Sequence, residues 1–135
     1  MLSNEEVLLK AWRGVLGLVD GDKPYCIPVA FIYKDGFLYF LFPKEGRKTK
    51  CIEKNKNACY LIHDLNYSVL IEGQLERVKN TEEIESVLKD FYEKVFPRDP
   101  YFKRFNERFI LEVCLSDSKA GLYKLIPKTI SGFKD

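Results

Sequence analysis

The fold is decided by the stretch FLYFLFPKEGRKTKCIE, residues 37–53. It begins as a run of aromatic and branched apolar residues, which is the composition of a buried strand, and it breaks at Pro43. The chain then turns basic around Gly46 and continues in a pattern that predicts a helix ending near Asn55 or Asn57. This stretch therefore predicts a strand that passes through a glycine turn into a helix.

The start of this helix carries the candidate binding residues Arg47 and Lys48. The first N–H groups of a helix have no partner within the helix, and the helix dipole favours an anion there. A basic pair adds charge and hydrogen-bond donors to such a helix start, so the pattern predicts a phosphate site. Lys44 is a further candidate, whereas Lys50 and the lysines after it are expected on the surface.

Length and composition indicate one soluble globular domain over residues 1–135. Apolar residues make up 46% of the chain, and the 10 Phe and 8 Tyr concentrate in strand-like runs, which favours a β-rich core. The net charge is only +2, although the segment 43–56 alone contains six basic and two acidic residues. The positive charge is local, which favours a small anionic ligand over a nucleic-acid surface.

The four cysteines are Cys26, Cys51, Cys59 and Cys114. None of them has the spacing of a metal-binding motif, and only His63 could join them as a histidine ligand, so no metal site is predicted. With no signal peptide in the sequence, we expect free thiols in a reducing cytoplasm. No apolar run has the length of about 20 residues that a membrane span needs.

Two breaker residues shape the predicted strands. Pro28 interrupts the second strand, and since proline cannot donate to a ladder, that part is expected at a sheet edge, a bulge or a ligand site. Gly73 is expected to bend the fifth strand. In chain order the prediction gives a helix from Ser3 through Trp12, strands at 14–20, 24–33 and 37–42, the helix after Gly46, strands at 58–62 and 67–78, a helix from Asn80 to Pro97, and strands at 109–115 and 121–126.

The elements do not alternate regularly between strand and helix, which disfavours a doubly wound parallel sheet. Short turns between the early strands indicate antiparallel neighbours. A closed or split barrel hides the edges of so many strands, so a mainly β barrel with added helices is the predicted fold class.

Several segments resemble a known family: GVLGLVD at 14–20, PYCIPVAF at 24–31, LYF at 38–40, KEGRK at 44–48 and NKNACY at 55–60. Together they are similar to the FMN-binding split barrels of the pyridoxamine-5′-phosphate-oxidase-like family, in particular its nitroimidazole-resistance-type branch. The resemblance covers residues 14–76 and continues more weakly to the segment 130–132.

The resemblance implies a six-stranded antiparallel split β-barrel and a homodimer with FMN held in the dimer groove. The segment 28–31 would lie along the flavin ring, the segment 41–43 beside the ribityl chain, and Arg47 and Lys48 at the phosphate. Ser68 would reach the flavin from the fifth strand. The candidate cofactor-binding residues are Pro28, Val29, Ala30, Phe31, Leu41, Phe42, Pro43, Lys44, Gly46, Arg47, Lys48 and Ser68.

The expected function is that of a flavoprotein oxidoreductase acting on a small acceptor, with an electron donor such as NAD(P)H. In such a protein the flavin carries the redox chemistry, so no catalytic side chain is assigned. The alternatives are a flavin-binding electron carrier or redox sensor, a haem or deazaflavin binder on the same barrel, and a nucleic-acid module that uses the basic segment. His63 is the histidine available to haem, and it is expected on the surface.

Overall fold

The computed structural model of the chain describes residues 2–43, 45–64, 66–116 and 120–134, so the candidate Lys44 lies outside the described residues. Within these ranges the chain forms seven strands, four α-helices and one short 3₁₀ helix. The elements are α1 (Asn4–Lys10), β1 (Arg13–Asp20), β2 (Lys23–Ala30), β3 (Ile32–Lys34), β4 (Phe37–Pro43), α2 (Arg47–Lys54), β5 (Asn57–His63), β6 (Tyr67–Arg77), α3 (Thr81–Lys94), the 3₁₀ helix Phe102–Arg104, α4 (Glu107–Ser116) and β7 (Ala120–Lys134).

All strand pairs are antiparallel, and the strands form one curled sheet in the order β2-β1-β5-β6-β7-β4-β3. The two strands at the ends of this order, β2 and β3, are consecutive in the chain and separated only by Phe31. The two edges of the sheet therefore come together around one residue. The result is a split β-barrel, as predicted.

The barrel has seven strands where the resemblance implied six, because the predicted strand 24–33 is divided at Phe31. The Phe31 N–H donates to the Trp12 carbonyl at 2.9 Å instead of to a neighbouring strand, and the Phe31 side chain is fully buried. This one residue turns the chain from β2 into β3, which pairs with β4 instead of β1.

The prediction of a strand over residues 109–115 is wrong, because this segment belongs to helix α4. The Asn106 side chain accepts a hydrogen bond from the Phe109 N–H at 2.7 Å, which satisfies one of the unpaired donors at the helix start. Ile110, Val113 and Cys114 are buried and have the spacing of one helix face. Ile110 and Cys114 belong to one buried cluster with the apolar face of α3, and this packing outweighs the strand-like composition of the segment.

The predicted positions of two strand-interrupting residues, Pro28 at a sheet edge and Gly73 at a bend, are confirmed. Pro28 lies in β2, the terminal strand of the sheet, where a missing donor disrupts no ladder on the open side. The pairing of β6 with β7 shifts register between Glu72 and Gly73, which is the predicted bend in the long strand.

The core has two layers on either side of the sheet. Inside the barrel, Phe40 packs against Phe42 and Tyr60 with ring centroids 5.8 and 5.0 Å apart. On the other layer, α3 and α4 cover part of the sheet, and the Glu83 carboxylate accepts hydrogen bonds from Tyr39 at 2.6 Å and Lys124 at 3.1 Å. Among the described residues, no helix combines the length and the apolar character needed to cross a membrane.

Candidate functional site

A groove follows the split in the barrel, between β2 and the second half of β4. The ladder between β3 and β4 ends at Tyr39, so among the described strands the segment 40–43 pairs only with β7. On the facing side, β2 pairs with β1 and with no other strand of the described residues. Two strand edges without a strand partner therefore border the groove, which has a volume of about 410 Å³. Such edges offer backbone donors and acceptors to a ligand.

The structure brings seven of the twelve predicted cofactor residues together in this groove. Phe31 is fully buried in the barrel, and Gly46 and Arg47 line a neighbouring cleft. Ser68 lies in a third cleft. The predicted residues that line the groove are Pro28, Val29, Ala30, Leu41, Phe42, Pro43 and Lys48.

Helix α2 begins beside the groove, at the position that the sequence predicts. Its N-cap is Gly46, whose φ of 138° lies in a region that favours glycine, and no described side chain caps the helix start. The first turn contains Arg47 and Lys48 and no acidic residue. Because no acidic residue of the first turn offsets the positive end of the helix dipole, this helix start is suited to an anion.

The two basic side chains of this turn point into different clefts. The Arg47 Nε donates to the Asp20 carboxylate at 2.8 Å, and its guanidinium lies 3.8 Å from the centre of the Tyr25 ring. The Lys48 ammonium instead lies 5.7 Å from the centre of the Phe42 ring, on the wall of the groove. Lys48 thus lines the groove together with the two strand edges, whereas the Arg47 side chain binds the helix start to β1 and β2.

Sequence reasoning missed Thr49, which joins the strand to the helix. Its hydroxyl donates to the Pro43 carbonyl at 2.8 Å, and only 5% of the residue is exposed. This bond fixes the end of β4 against the first turn of α2. The position of a threonine three residues after the glycine N-cap was the available signal.

Sequence reasoning also missed one wall of the groove. Asp99, Tyr101 and Phe102 line it, and they come from the segment between α3 and α4, to which the sequence analysis assigned no element. The signal was the unusual density of aromatic residues between Pro97 and Asn106. Apolar rings in a polar connector indicate that it packs on something.

The Tyr60 hydroxyl holds the edge strand in place from inside the barrel. It donates to the Val29 carbonyl at 2.6 Å, and burial raises the pKa of Tyr60 well above its ordinary value, so the group stays a donor. The bond anchors β2 where it borders the groove.

Replacing Tyr60 with Phe is expected to lower the free energy of unfolding by about 1–1.5 kcal/mol, because the Val29 carbonyl loses its donor inside the barrel. Urea unfolding followed by circular dichroism measures the change. Tyr92→Phe is the control, since Tyr92 is exposed, and its effect should stay within about 0.5 kcal/mol. Equal midpoints for the two variants would contradict an anchoring role for Tyr60.

The sequence profile of the family described as pyridoxamine 5′-phosphate oxidase matches residues 5–117, which is most of the chain. The chain belongs to the pyridoxamine 5′-phosphate oxidase family. The family resemblance seen in the sequence is thereby confirmed. No curated protein matches the sequence.

Several solved structures have the same fold as this chain. An FAD-binding protein from Mesorhizobium loti superposes with a TM-score of 0.71 at 17% identity, over 97% of this chain and 94% of that one. The flavocytochrome Anf3 from Azotobacter vinelandii gives 0.74 at 15% identity, over 98% and 65%. A NimC/NimA family protein from Clostridium acetobutylicum gives 0.60 at 14% identity, over 93% and 79%. At these identities the likeness establishes the fold alone.

In this member of the pyridoxamine 5′-phosphate oxidase family, the predicted cofactor residue Ser68 lies away from the groove. Ser68 Oγ lies 2.7 Å from His63 Nδ1, and Ser68 lines a cleft of about 610 Å³ beside α1.

All four cysteines fall within the described residues and are free thiols. Burial raises the pKa of Cys114 to about 11, so this thiol is protonated at neutral pH. Within the described part of the chain, no three candidate ligands cluster as a metal site.

Proposed function

We propose that this protein binds FMN in the groove along the split of the barrel. The observation that carries the proposal is the meeting of an uncapped, basic helix start with two strand edges that have no strand partner on the groove side. A phosphate suits the first feature, and a flat, hydrogen-bonding ring system suits the second. Flavin mononucleotide joins these two chemistries in one molecule.

The phosphate end is assigned to Lys48 and the backbone N–H groups of the first turn of α2. Lys48 supplies charge from the groove wall, and the bond from Thr49 to the Pro43 carbonyl keeps the helix start against the strand. Arg47 contributes only its backbone N–H group, because its side chain is bound to Asp20. These groups are in place before a ligand arrives, which lowers the ordering cost of binding.

The ring end is assigned to the two strand edges. Neither Pro28 nor Pro43 has an N–H, and the carbonyls of Val29 and Pro43 already accept from Tyr60 and Thr49. The polar contacts therefore fall to the remaining backbone groups of 29–30 and 41–42. The side chains of Leu41 and Phe42 supply an apolar wall. A bound flavin would bring one- and two-electron redox chemistry, and the protein would supply its binding, orientation and electrostatic surroundings.

Titration of the apoprotein with FMN, riboflavin and FAD, followed by flavin fluorescence, tests this function. We expect one FMN per chain and weaker riboflavin, because riboflavin lacks the phosphate. We expect FAD to bind no better than FMN, because the described basic groups of the groove serve a single phosphate position. Absence of saturable FMN binding would overturn the proposal.

We further propose that two copies associate through the outer face of the sheet, next to the groove. Val15 pairs in register with Leu61, and their exposed fractions are 39% and 38%. Pro28 lies opposite Val15 on β2, and Leu70 lies opposite Leu61 on β6. This apolar row crosses four strands and begins at a residue that lines the groove. A second copy on this face would bury the row and could complete the open side of the groove.

Replacing Leu61 with Asp is expected to weaken the dimer by at least about tenfold, because a charge would be buried in an apolar contact at both copies. Sedimentation velocity at micromolar concentration measures the shift from dimer to monomer. Leu9→Asp is the matched control, since Leu9 is 55% exposed on α1, outside this row. A wild-type protein that is monomeric and still binds FMN tightly would contradict the dimer proposal.

We propose that the bound flavin serves an oxidoreductase with a small acceptor. Among the described residues that line the groove, the ionisable side chains are Lys48, Asp99 and Tyr101, so the reaction is expected to rest on the flavin and not on an acid–base pair. Reduction of the FMN-loaded protein by NADH or NADPH, with and without small acceptors, tests this activity. Reversible reduction without turnover of any acceptor would instead identify an electron carrier.

A further inference from the structure

A second cavity adjoins the groove on the side of α4. It has a volume of about 220 Å³ and shares Leu41, Phe42, Pro43, Tyr101 and Phe102 with the groove. The shared residues form a common wall, so a molecule in the second cavity would lie next to a ligand in the groove. The cavity is closed on its far side by α4 and by Ala120, at the start of β7.

Five of the ten described residues that line this cavity, which we call the aromatic pocket, have aromatic rings. Tyr101 lies 5.6 Å from Phe105, and Phe105 lies 5.7 Å from Phe109, measured between ring centres. Phe102 is stacked against Phe96 at 5.1 Å with an angle of 13° between the rings. Because each ring contacts another ring, the walls are pre-arranged and present both faces and edges to an occupant. The aromatic pocket is lined by Tyr101, Phe102, Phe105, Phe109, Ile110 and Val113, with residues 41–43 and Ala120 as its remaining walls.

The charge pattern of the aromatic pocket differs from that of the groove. Among the described residues that line it, none is Lys, Arg, Asp or Glu, and Lys48 belongs only to the groove. Arg104 lies 4.5 Å from the Tyr101 ring and 5.1 Å from the Phe105 ring, where it steadies the rings by cation–π contact without lining the pocket. An ionised group in this pocket would lose part of its hydration without gaining a counter-ion from the described lining residues.

We propose that the aromatic pocket binds an uncharged, planar aromatic molecule of one or two fused rings, which is the reaction partner of the site. This inference rests on the proposed flavin function, because the shared wall places the pocket beside the groove. The size of the cavity limits the occupant to a small ring system, and the ring-lined walls favour stacking and edge contacts. The same features select against phosphorylated substrates, although the family is described as pyridoxamine 5′-phosphate oxidase.

The test compares two probes that differ in charge, 2-naphthol and 2-naphthyl phosphate, by calorimetric titration of the FMN-loaded protein. We expect 2-naphthol to bind and 2-naphthyl phosphate to bind at least about tenfold more weakly. Equal or tighter binding of the phosphate ester would overturn the proposal. Filling the groove with FMN first keeps the phosphate probe away from Lys48.

Phe109→Asp places a carboxylate in the pocket, at a position that is 36% exposed and therefore tolerant of the change. We expect at least about tenfold weaker 2-naphthol binding and unchanged FMN binding. Leu115→Asp makes the same charge change on the same helix at a position that is 41% exposed and outside the pocket lining, and it should leave both ligands unaffected. Undiminished 2-naphthol binding in Phe109→Asp would place the probe elsewhere and overturn the inference.

Two further arms separate the possible failures. Ala120→Leu fills the pocket from its β7 wall without adding charge. If Phe109→Asp does not fold, the loss of 2-naphthol binding is measured with Ala120→Leu instead. Titration of the apoprotein with 2-naphthol tests whether the aromatic pocket binds an uncharged ring, even if FMN does not bind. Loss of FMN binding with retained 2-naphthol binding would remove the proposed function, and the opposite result would remove only this inference.

Discussion

Replacing Lys48 with Ala is expected to weaken FMN binding by about tenfold to a hundredfold and to leave riboflavin binding unchanged. A hydrogen bond to a charged group contributes about 1.5–3 kcal/mol, and about 1.4 kcal/mol corresponds to a factor of ten in affinity. Riboflavin has the same ring and ribityl chain without the phosphate, so it reports on the rest of the groove. Fluorescence titration of both ligands against both proteins measures the difference.

The chain supplies two matched controls for Lys48. Arg47 precedes it in the same helical turn, but its guanidinium is bound to Asp20 and stacked on Tyr25. Lys50 follows it on the same helix and lines the neighbouring cleft. Alanine at either position should change FMN affinity by less than about fivefold, since an exposed charge outside the groove contributes only about 0–1 kcal/mol. If Arg47→Ala weakened FMN binding as strongly as Lys48→Ala does, the phosphate would also contact the neighbouring cleft that Arg47 lines, and the groove alone would not hold it.

The sequence predicted most of the barrel because its decisive signals are local. Asn80, where the sequence predicts that this helix begins, caps α3 by accepting from the Glu83 N–H at 2.9 Å. Gly46 precedes the first residue of α2, and Pro28 lies on a terminal strand. Each of these residues acts through its own backbone geometry or its own side chain, so no knowledge of distant contacts was needed.

The features that the sequence did not predict depend on distant parts of the chain. Residues 109–115 have a strand-like composition, and their helical state follows from burial of one face against α3. The division of the second strand depends on the bond from the Phe31 N–H to Trp12. The different directions of Arg47 and Lys48 depend on Asp20, which lies 27 residues before Arg47 in the sequence. For such residues the tertiary partner, and not the local pattern, decides the outcome.

The largest stability effect that we expect is at Gly73, a position that also depends on contacts with a distant part of the chain. A Cβ atom at this position would lie 2.0 Å from the carbonyl oxygen of Ile126 and 3.1 Å from the Cα of Pro127, and both are backbone atoms that cannot rotate away. Gly73→Ala is therefore expected to lower the free energy of unfolding by about 3 kcal/mol, at the upper end for overpacked sites. Chemical unfolding at a fixed protein concentration measures the loss.

Gly21→Ala separates this steric effect from the ordinary cost of replacing glycine. Gly21 has a φ of 67° in the turn between β1 and β2, and no atom lies within 4 Å of the added Cβ, so only the left-handed backbone costs energy, about 1–2 kcal/mol. If Gly73→Ala destabilised no more than Gly21→Ala, the bulge would have room to open. Because the register shift at Gly73 lets β6 and β7 bend, Gly73→Ala should also disturb the sheet that carries β4 to the groove. We therefore expect the variant to lose FMN affinity along with stability, whereas Gly21→Ala should retain it.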